Sequence, residues 1–375
     1  VAFELRDQNE PFLALEQLPD AVHSALEDFF ASRRRELSHI GAPVTKAIDY
    51  LERFVLDGGK RIRPLYLWAG FCGAQATGLT ASSGADEDHD AVIRAAASLE
   101  LIQACALIHD DILDASETRR GKPAVHRQVA DEHDAQGLLG DAGHFGTSVA
   151  ILLGDMALAW ADDMFHESGI SPQALLRAQQ PWHHMRQEVI GGQMLDISIE
   201  AHADESRTLA ANVNRFKTAA YTIERPLHLG AAIGGGSEEL ITAFRGYGRD
   251  IGIAFQLRDD LLGVFGDPEV TGKPAGDDLR EGKRTELIAL TLSRADERDP
   301  HAAADLRRLL GTTSDPADIN RMREIITTSG AVDEIERDID QLRESGLAQL
   351  RAVSLRDDVR ANLESLAIKA TRRHS

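Results

Sequence analysis

A chain of 375 residues carrying 41 Lys and Arg against 61 Asp and Glu has a formal charge of −20, which argues against a general nucleic-acid binder and a polybasic membrane anchor. Its two cysteines, Cys72 and Cys105, lie in apolar runs without CxxC spacing. Reduced core thiols and a cytoplasmic protein are therefore expected, rather than a disulfide framework or a zinc site.

Length alone, at about 150 residues per domain, suggests two or three domains. The charged motifs at 58–64, 107–126, 191–196 and 255–285 span most of the chain and favour one large domain over residues 1–375. The opening VAFELRDQNEPF is mixed in charge and lacks the basic start and apolar run of a leader. A helical segment is expected over 20–56, followed by GGKRIRP at 58–64. Asp88 and Asp90 in DHD offer caps, and no Gly or Pro interrupts Ala91 to Arg120, which predicts one long helix reaching the arginines. A second apolar helix is expected over 147–166; Asp155 interrupts it short of the ~20 residues that a membrane span needs, so no span is expected. Ser171 and Pro172 suit the cap and first turn of a third. Further helices are read at 206–233, 238–265, 284–296 and 318–330, with a last one ending near Arg372. QATGLTASSGADEDHD, DEHDAQGLLGDAGHFG, FGDPEVTGKPAGDD and GTTSDPAD read as loops, and alternating β-branched runs are absent. An all-α bundle with several central helices follows.

The stretch LIHDDILDASETRRGKPAVH, 107–126, concentrates opposed charge. On a helix Asp110 and Asp114 share a face while Asp111 is rotated about 100° away. Such carboxylates repel unless a cation joins them, and Mg²⁺ takes one or two while completing its octahedron with water and phosphate oxygens. Alone, the pattern is explained as well by a solvated helix end. Asp259 and Asp260, with Lys273 in a Gly/Pro loop, form a second such group. Lys60 and Arg63 stand beside the Gly58–Gly59 pair, and Arg119 and Arg120 follow the first aspartates. Two carboxylate clusters among cations describe a site for diphosphates bridged by Mg²⁺.

Seven motifs in order, GGKRIRP, DDILD, RRGKP, GGQMLD, KTA, FQLRDD and the GK pair at 272–273, resemble those of the trans-isoprenyl diphosphate synthases. The resemblance covers about residues 40–300 and is strongest to the bacterial geranylgeranyl diphosphate synthases. It implies a helical bundle of the isoprenoid synthase type around a central substrate cavity, usually as a homodimer. It implies that Asp110, Asp114 and Asp259 hold three Mg²⁺ ions on an allylic diphosphate. Arg119, Lys217 and Lys273 would clamp that diphosphate, while Lys60, Arg63, Gln103 and Arg120 would bind isopentenyl diphosphate. Thr218, Tyr221 and Gln256 would line the path of the allylic cation. Ionisation needs the departing diphosphate neutralised, and attack by the isopentenyl double bond then extends the chain.

The second motif departs from the family's repeated DDxxD: it reads DDLLG, with Gly263 in the last position. Asp267 stands about 12 Å beyond Asp259 along an ideal helix, too far for the same ion unless the chain bends. Farnesyl synthases resembling this family commonly carry an aromatic floor where this chain has Cys105 and Ala106, with Ile102 deeper. Geranylgeranyl diphosphate is thus the expected product, longer polyprenyl or farnesyl chains the alternatives, and Trp160 a stop for the chain. A class I terpene cyclase would need an Asn/Ser/Glu metal triad, which no segment shows. A non-catalytic partner subunit would have lost its metal carboxylates.

Overall fold

Capping side chains start the long helices, at Ser171 and Ser237 where the sequence places the starts and at Asp141 ahead of the start expected near Thr147. Asp141 accepts from the His144 amide at 2.7 Å, Ser171 from Ala174 at 3.1 Å and Ser237 from Leu240 at 3.2 Å, each satisfying an amide that the first turn leaves without a partner. The computed structural model describes residues 12–75, 87–267 and 276–372. In chain order the helices are α1 (Leu18–Leu37), α2 (Ala42–Leu56), α3 (Ile62–Gln75), α4 (His89–Leu113), α5 (Val125–Ala135), α6 (Ala142–His166), α7 (Pro172–Ala201) and α8 (Arg207–Val213). A π-helical segment (Asn214–Glu224) continues α8 into α9 (Arg225–Ile233). Then come α10 (Glu238–Phe265), α11 (Asp277–Glu281), α12 (Glu286–Arg298), α13 (Pro300–Leu309), α14 (Pro316–Ser329), α15 (Ala331–Arg351) and α16 (Asp357–Thr371). Among the described residues the extended structure is a two-residue hairpin, β1 (Thr118–Arg119) against β2 (Lys122–Pro123).

The expected all-α fold is what the chain adopts, with local differences. The helix expected to reach Arg120 stops at Leu113: Asp114 caps it, Ala115 takes a φ of 50°, and the chain turns into the hairpin. Carboxylates at a helix C-terminus oppose its dipole, and Gly121 with Pro123 favours the turn that follows. The segment expected over 20–56 is two helices, broken at Gly41 (φ 137°) ahead of Pro43. Helices α3, α5, α11, α13 and α15 stand beyond the expected set, and the stretch 131–146 read as a loop is helical at both ends.

Two apolar cores form. The larger joins α1, α3, α4, α6, α7 and α9 around Trp68, Phe71 and Trp182, with Phe165 stacked on Trp182 at 4.1 Å between ring centres. The smaller packs α11 to α15 through Leu279, Leu287, Leu306, Ile319 and Ile335. Helix α10 belongs to both, giving Phe244, Tyr247 and Ile251 to the first and Leu257, Leu261 and Val264 to the second. Helices α4 and α6 are long and apolar enough to cross a membrane by length and composition. Helix α4 buries most of its apolar residues inside the larger core, whereas α6 leaves Phe145 43%, Ile151 43% and Leu152 65% exposed.

Candidate active site

One cavity of about 660 Å³ gathers polar groups from across the fold. From α4 it receives Gln103, Ala106, Leu107 and Asp110, a single stripe of that helix. The π segment contributes Lys217, Thr218 and Tyr221; α10 contributes Gln256, Asp259 and Asp260. The π winding closes i→i+5 rings and is frequent at functional sites. Gly192 lets α7 approach this segment, since a Cβ there would overlap the Lys217 amide. Lys60 and Arg63 enter from the start of α3, where Gly58 and Gly59 hold φ of 144° and 119°, values that side-chain-bearing residues rarely adopt.

The first acidic motif is already paired with cations. Lys217 Nζ donates to Asp110 Oδ1 at 3.1 Å and to Asp196 Oδ2 at 2.5 Å. Arg119 Nε donates to Asp111 Oδ1 at 2.7 Å, and its Nη2 reaches Asp110 Oδ2 at 3.4 Å. Burial would raise the Asp110 pKa, but Lys217 and Arg119 outweigh it and hold the carboxyl below its usual range. Asp114 goes the other way: burial, then the charge of Asp110, pushes it up to about 6. Glu200 rises to about 7 through burial, then through Asp196 and Asp114. Burial together with neighbouring negative charge raises both carboxyls, and added positive charge would relieve that.

Arg63 is buried, donates to Thr222 Oγ1 at 3.0 Å and lies 4.0 Å over the Tyr221 ring. Arg61 makes a buried pair with Glu100 at 2.6 Å. Arg120 sits on the hairpin turn, donating to the Gly58 carbonyl at 3.2 Å. In the second motif Gln256 Nε2 donates to Asp260 Oδ1 at 2.7 Å, while Asp260 Oδ2 is buried without a hydrogen-bond partner. Burial raises the Asp260 pKa well above the carboxylate range.

Of the residues singled out from the sequence, Lys60, Arg63, Gln103, Ala106, Asp110, Arg119, Lys217, Thr218, Tyr221, Gln256 and Asp259 line the cavity. Asp114 stands at the end of α4, one turn beyond Asp110, and Arg120 behind the Gly58–Gly59 loop. Lys273 lies outside the described residues. Cys105 and Ile102 do not line this cavity. Cys105 contacts His109 at 3.8 Å, His109 bonds the Ile151 carbonyl of α6 at 3.1 Å, and Ile102 is buried in the larger core. The separation of Ala106 from Cys105 follows from the ~100° turn between neighbouring helical residues. Trp160 is a core side chain, edge-to-face with Phe29 and Phe30 at 5.9 Å. Helix α10 runs straight through Gly263, and Asp267 is exposed beyond its end. Sequence reasoning quoted Asp196 within GGQMLD without giving it a task, and passed over Lys283 and Asp278, which also line the cavity.

Among the described residues no three His, Cys, Asp or Glu side chains are drawn together as a ready metal cage. Mg²⁺ needs none, because it keeps waters and takes substrate phosphates beside one or two carboxylates. Asp110 and Asp114 on one side and Asp259 on the other fit that requirement, and the raised Asp114 pKa marks the repulsion a dication would remove.

The family model of the polyprenyl synthetases matches residues 44–328. The chain belongs to the polyprenyl synthetase family. It is 36% identical over 283 residues to a geranylfarnesyl diphosphate synthase of Aeropyrum pernix, covering 74% of this chain and 79% of that one. It is 30% identical over 276 residues to a geranylgeranyl diphosphate synthase of Saccharolobus solfataricus, covering 72% and 73%. Among solved structures, geranylgeranyl pyrophosphate synthase of Corynebacterium glutamicum, complexed with isoprenyl diphosphate and magnesium, superposes with a TM-score of 0.92 at 57% identity, covering 96% of this chain and 100% of that one. The synthase is a Mg²⁺-dependent prenyltransferase that condenses isopentenyl diphosphate head-to-tail with allylic diphosphates. Its relatives support a product of the geranylgeranyl type.

Proposed function

We propose that Asp110, Asp114 and Asp259 hold three Mg²⁺ ions and that the cavity between them is where isopentenyl units are added up to geranylgeranyl diphosphate. The observation that carries this reading is the meeting of Asp110 and Asp259, from two helices, in one cavity with Lys217, Arg119, Lys60 and Arg63. Bound Mg²⁺ would neutralise charge on the departing diphosphate. Lys217 and Arg119 hold their cationic heads beside Asp110, so a diphosphate arriving there exchanges their carboxylate partners for phosphate oxygens. Lys273 joins this clamp by its motif. Lys60, Arg63, Arg120 and Gln103 take the isopentenyl diphosphate, and the Arg63 guanidinium is already fixed by Thr222 and Tyr221. Thr218, Gln256 and Tyr221 turn oxygen or ring dipoles toward the same space. The test is incubation with isopentenyl diphosphate, each allylic primer and Mg²⁺, with product lengths read by chromatography. Geranylgeranyl diphosphate is expected; a chain that stops at farnesyl, or no elongation, overturns the reading.

Three further features belong to this reading. One domain is supported by α10, which is continuous through both cores. A homodimer is supported by the exposed Phe145, Ile151 and Leu152 of α6, an apolar face of the kind that marks interfaces; a monomeric mass by light scattering would refute it. A cytoplasmic setting is supported by the unpaired Cys72 and Cys105, whose thiols burial holds at about 12.

A further inference from the structure

The motif GGKRIRP gives Lys60 and Arg63 to the cavity and leaves the arginine at 61 without a task. Arg61 is buried, 5% exposed, and its Nη1 donates at 2.6 Å to Oε2 of Glu100 on α4, itself 4% exposed. Immediately before α3, Arg61 takes a φ of 49°, a left-handed conformation that residues with a β carbon rarely adopt. The ion pair therefore holds the backbone in a state that the residue alone disfavours. The pair lies against Gly59: a Cβ there would stand 3.7 Å from Arg61 Nη1, from Glu100 Oε2 and from Arg120 Nη2. Glu100 comes one turn before Gln103, on the stripe of α4 that reaches the cavity. Its Oε1 is buried without a hydrogen-bond partner. Burial holds the Arg120 pKa below its usual range; Glu100 opposes that, while Arg61, Arg119 and Arg63 add to it.

We infer that Glu100 is a positioning residue for the isopentenyl diphosphate pocket: through Arg61 it fixes the turn over residues 58–63, so that Lys60 and Arg63 stand at the cavity wall. This rests on the proposed binding of isopentenyl diphosphate by Lys60 and Arg63. Cations gathered for a diphosphate repel one another while the pocket is empty, and a buried carboxylate beside them lets the empty pocket keep its shape. Two consequences follow. The allylic clamp of Arg119 and Lys217 is held by hydrogen bonds of its own to Asp110, so loss of the pair falls on one substrate. The pair acts through the backbone at 61, so a glycine there, free to take a positive φ, makes it dispensable.

The test is steady-state kinetics on the full chain, with isopentenyl diphosphate varied at a saturating allylic diphosphate and then the reverse. Glu100→Gln is expected to raise the isopentenyl KM by about 10- to 100-fold, the effect of misplacing a substrate clamp. The allylic KM and kcat should stay within about threefold. The double variant Arg61→Gly, Glu100→Gln leaves no unpaired buried charge and needs no bond to hold the turn, so its isopentenyl KM should return to within about fivefold of the wild type. The inference is overturned if folded Glu100→Gln keeps the wild-type isopentenyl KM, if both KM values rise together, or if the double variant is no better than the single one. Should Glu100→Gln not fold, Glu100→Asp keeps the charge and withdraws it by one methylene. The same split between substrates is expected of it, and a wild-type isopentenyl KM there overturns the inference. Lys60→Ala separates the two levels. If it raises the isopentenyl KM while Glu100→Gln does not, only the role of Glu100 fails; if neither does, the assignment of the pocket fails with it.

Discussion

The two acidic motifs look alike in sequence and are built differently. Asp110 to Asp114 sit where α4 ends, among cations delivered by other elements: Arg119 from the hairpin and Lys217 from the π segment. Asp259 to Gly263 sit inside an unbroken α10, with Asp260 buried against Gln256 and the neighbouring carboxylate coming from α11. In the first motif Asp110 is 17% and Asp111 1% exposed, and their repulsion is met by fixed positive charge. In the second, Asp259, Asp260 and Gly263 all line the cavity, and Asp260 is buried there. A repeated motif therefore does not imply a repeated environment; charge balance at each depends on which elements pack there.

The largest expected effect comes from emptying the first motif. Asp110→Ala or Asp114→Ala should each lower kcat by several orders of magnitude with the helical circular dichroism retained, since metal stabilisation of a departing oxyanion is worth several kcal/mol. Near-wild-type turnover in either variant would remove the residue from the metal site.

In the second motif, Asp259→Ala should cost roughly 10²-fold or more in kcat, while Asp267→Ala, at an exposed position past the end of α10, should stay within about twofold. Equal losses would mean that the chain bends after Gly263 when substrate binds, and the contrast between the two motifs would weaken.

A smaller effect, on product length rather than rate, probes the wall beneath Asp110. Ala106 lines the cavity and Cys105 does not, so Ala106→Phe should shift chromatographed products toward farnesyl diphosphate. Cys105→Phe should instead crowd the α4–α6 contact and cost about 1–3 kcal/mol in denaturant midpoint. A product shift from Cys105→Phe in a stable protein would show that the growing chain passes between those helices.

The least effect on activity is expected at the scaffold both motifs share. Burial, then the charge of Arg225, holds His228 of α9 down to about 3. The unfolded chain takes that proton near 6.5. Between those values the unfolded state binds more protons, so the stabilising contribution is complete above about pH 6.5 and declines as the solution is acidified, by roughly 2 kcal/mol at pH 5. His228→Asn should flatten the fall of the urea midpoint over that range, and an unaltered slope would show that His228 takes its proton in the fold as well.

Much of this molecule was legible before any coordinates. Helix starts at Ser171 and Ser237 follow from cap chemistry, which acts over three residues, and the pairing of Asp110 with Asp114 follows from the helical period. The seven ordered motifs pointed to the family that residues 44–328 match. Less legible were the end of α4, where three aspartates and a following Gly121 overrode good helix formers, and the facing of Cys105 and Ile102, since both sides of α4 are apolar. Asp196 and Lys283 could have been suspected only as charges near motifs.

By itself the sequence determined the helical class, the limits of several helices and the residue types at the site, because period, capping and residue type are local properties. Tertiary structure alone decided which stripe of α4 turns to the cavity, that Lys217 meets Asp110 and Asp196, and that Asp278 fills the space left by Gly263. Those outcomes depend on how helices rotate and fit against one another, and excluded volume between segments far apart in the chain leaves no mark in the spacing of either one.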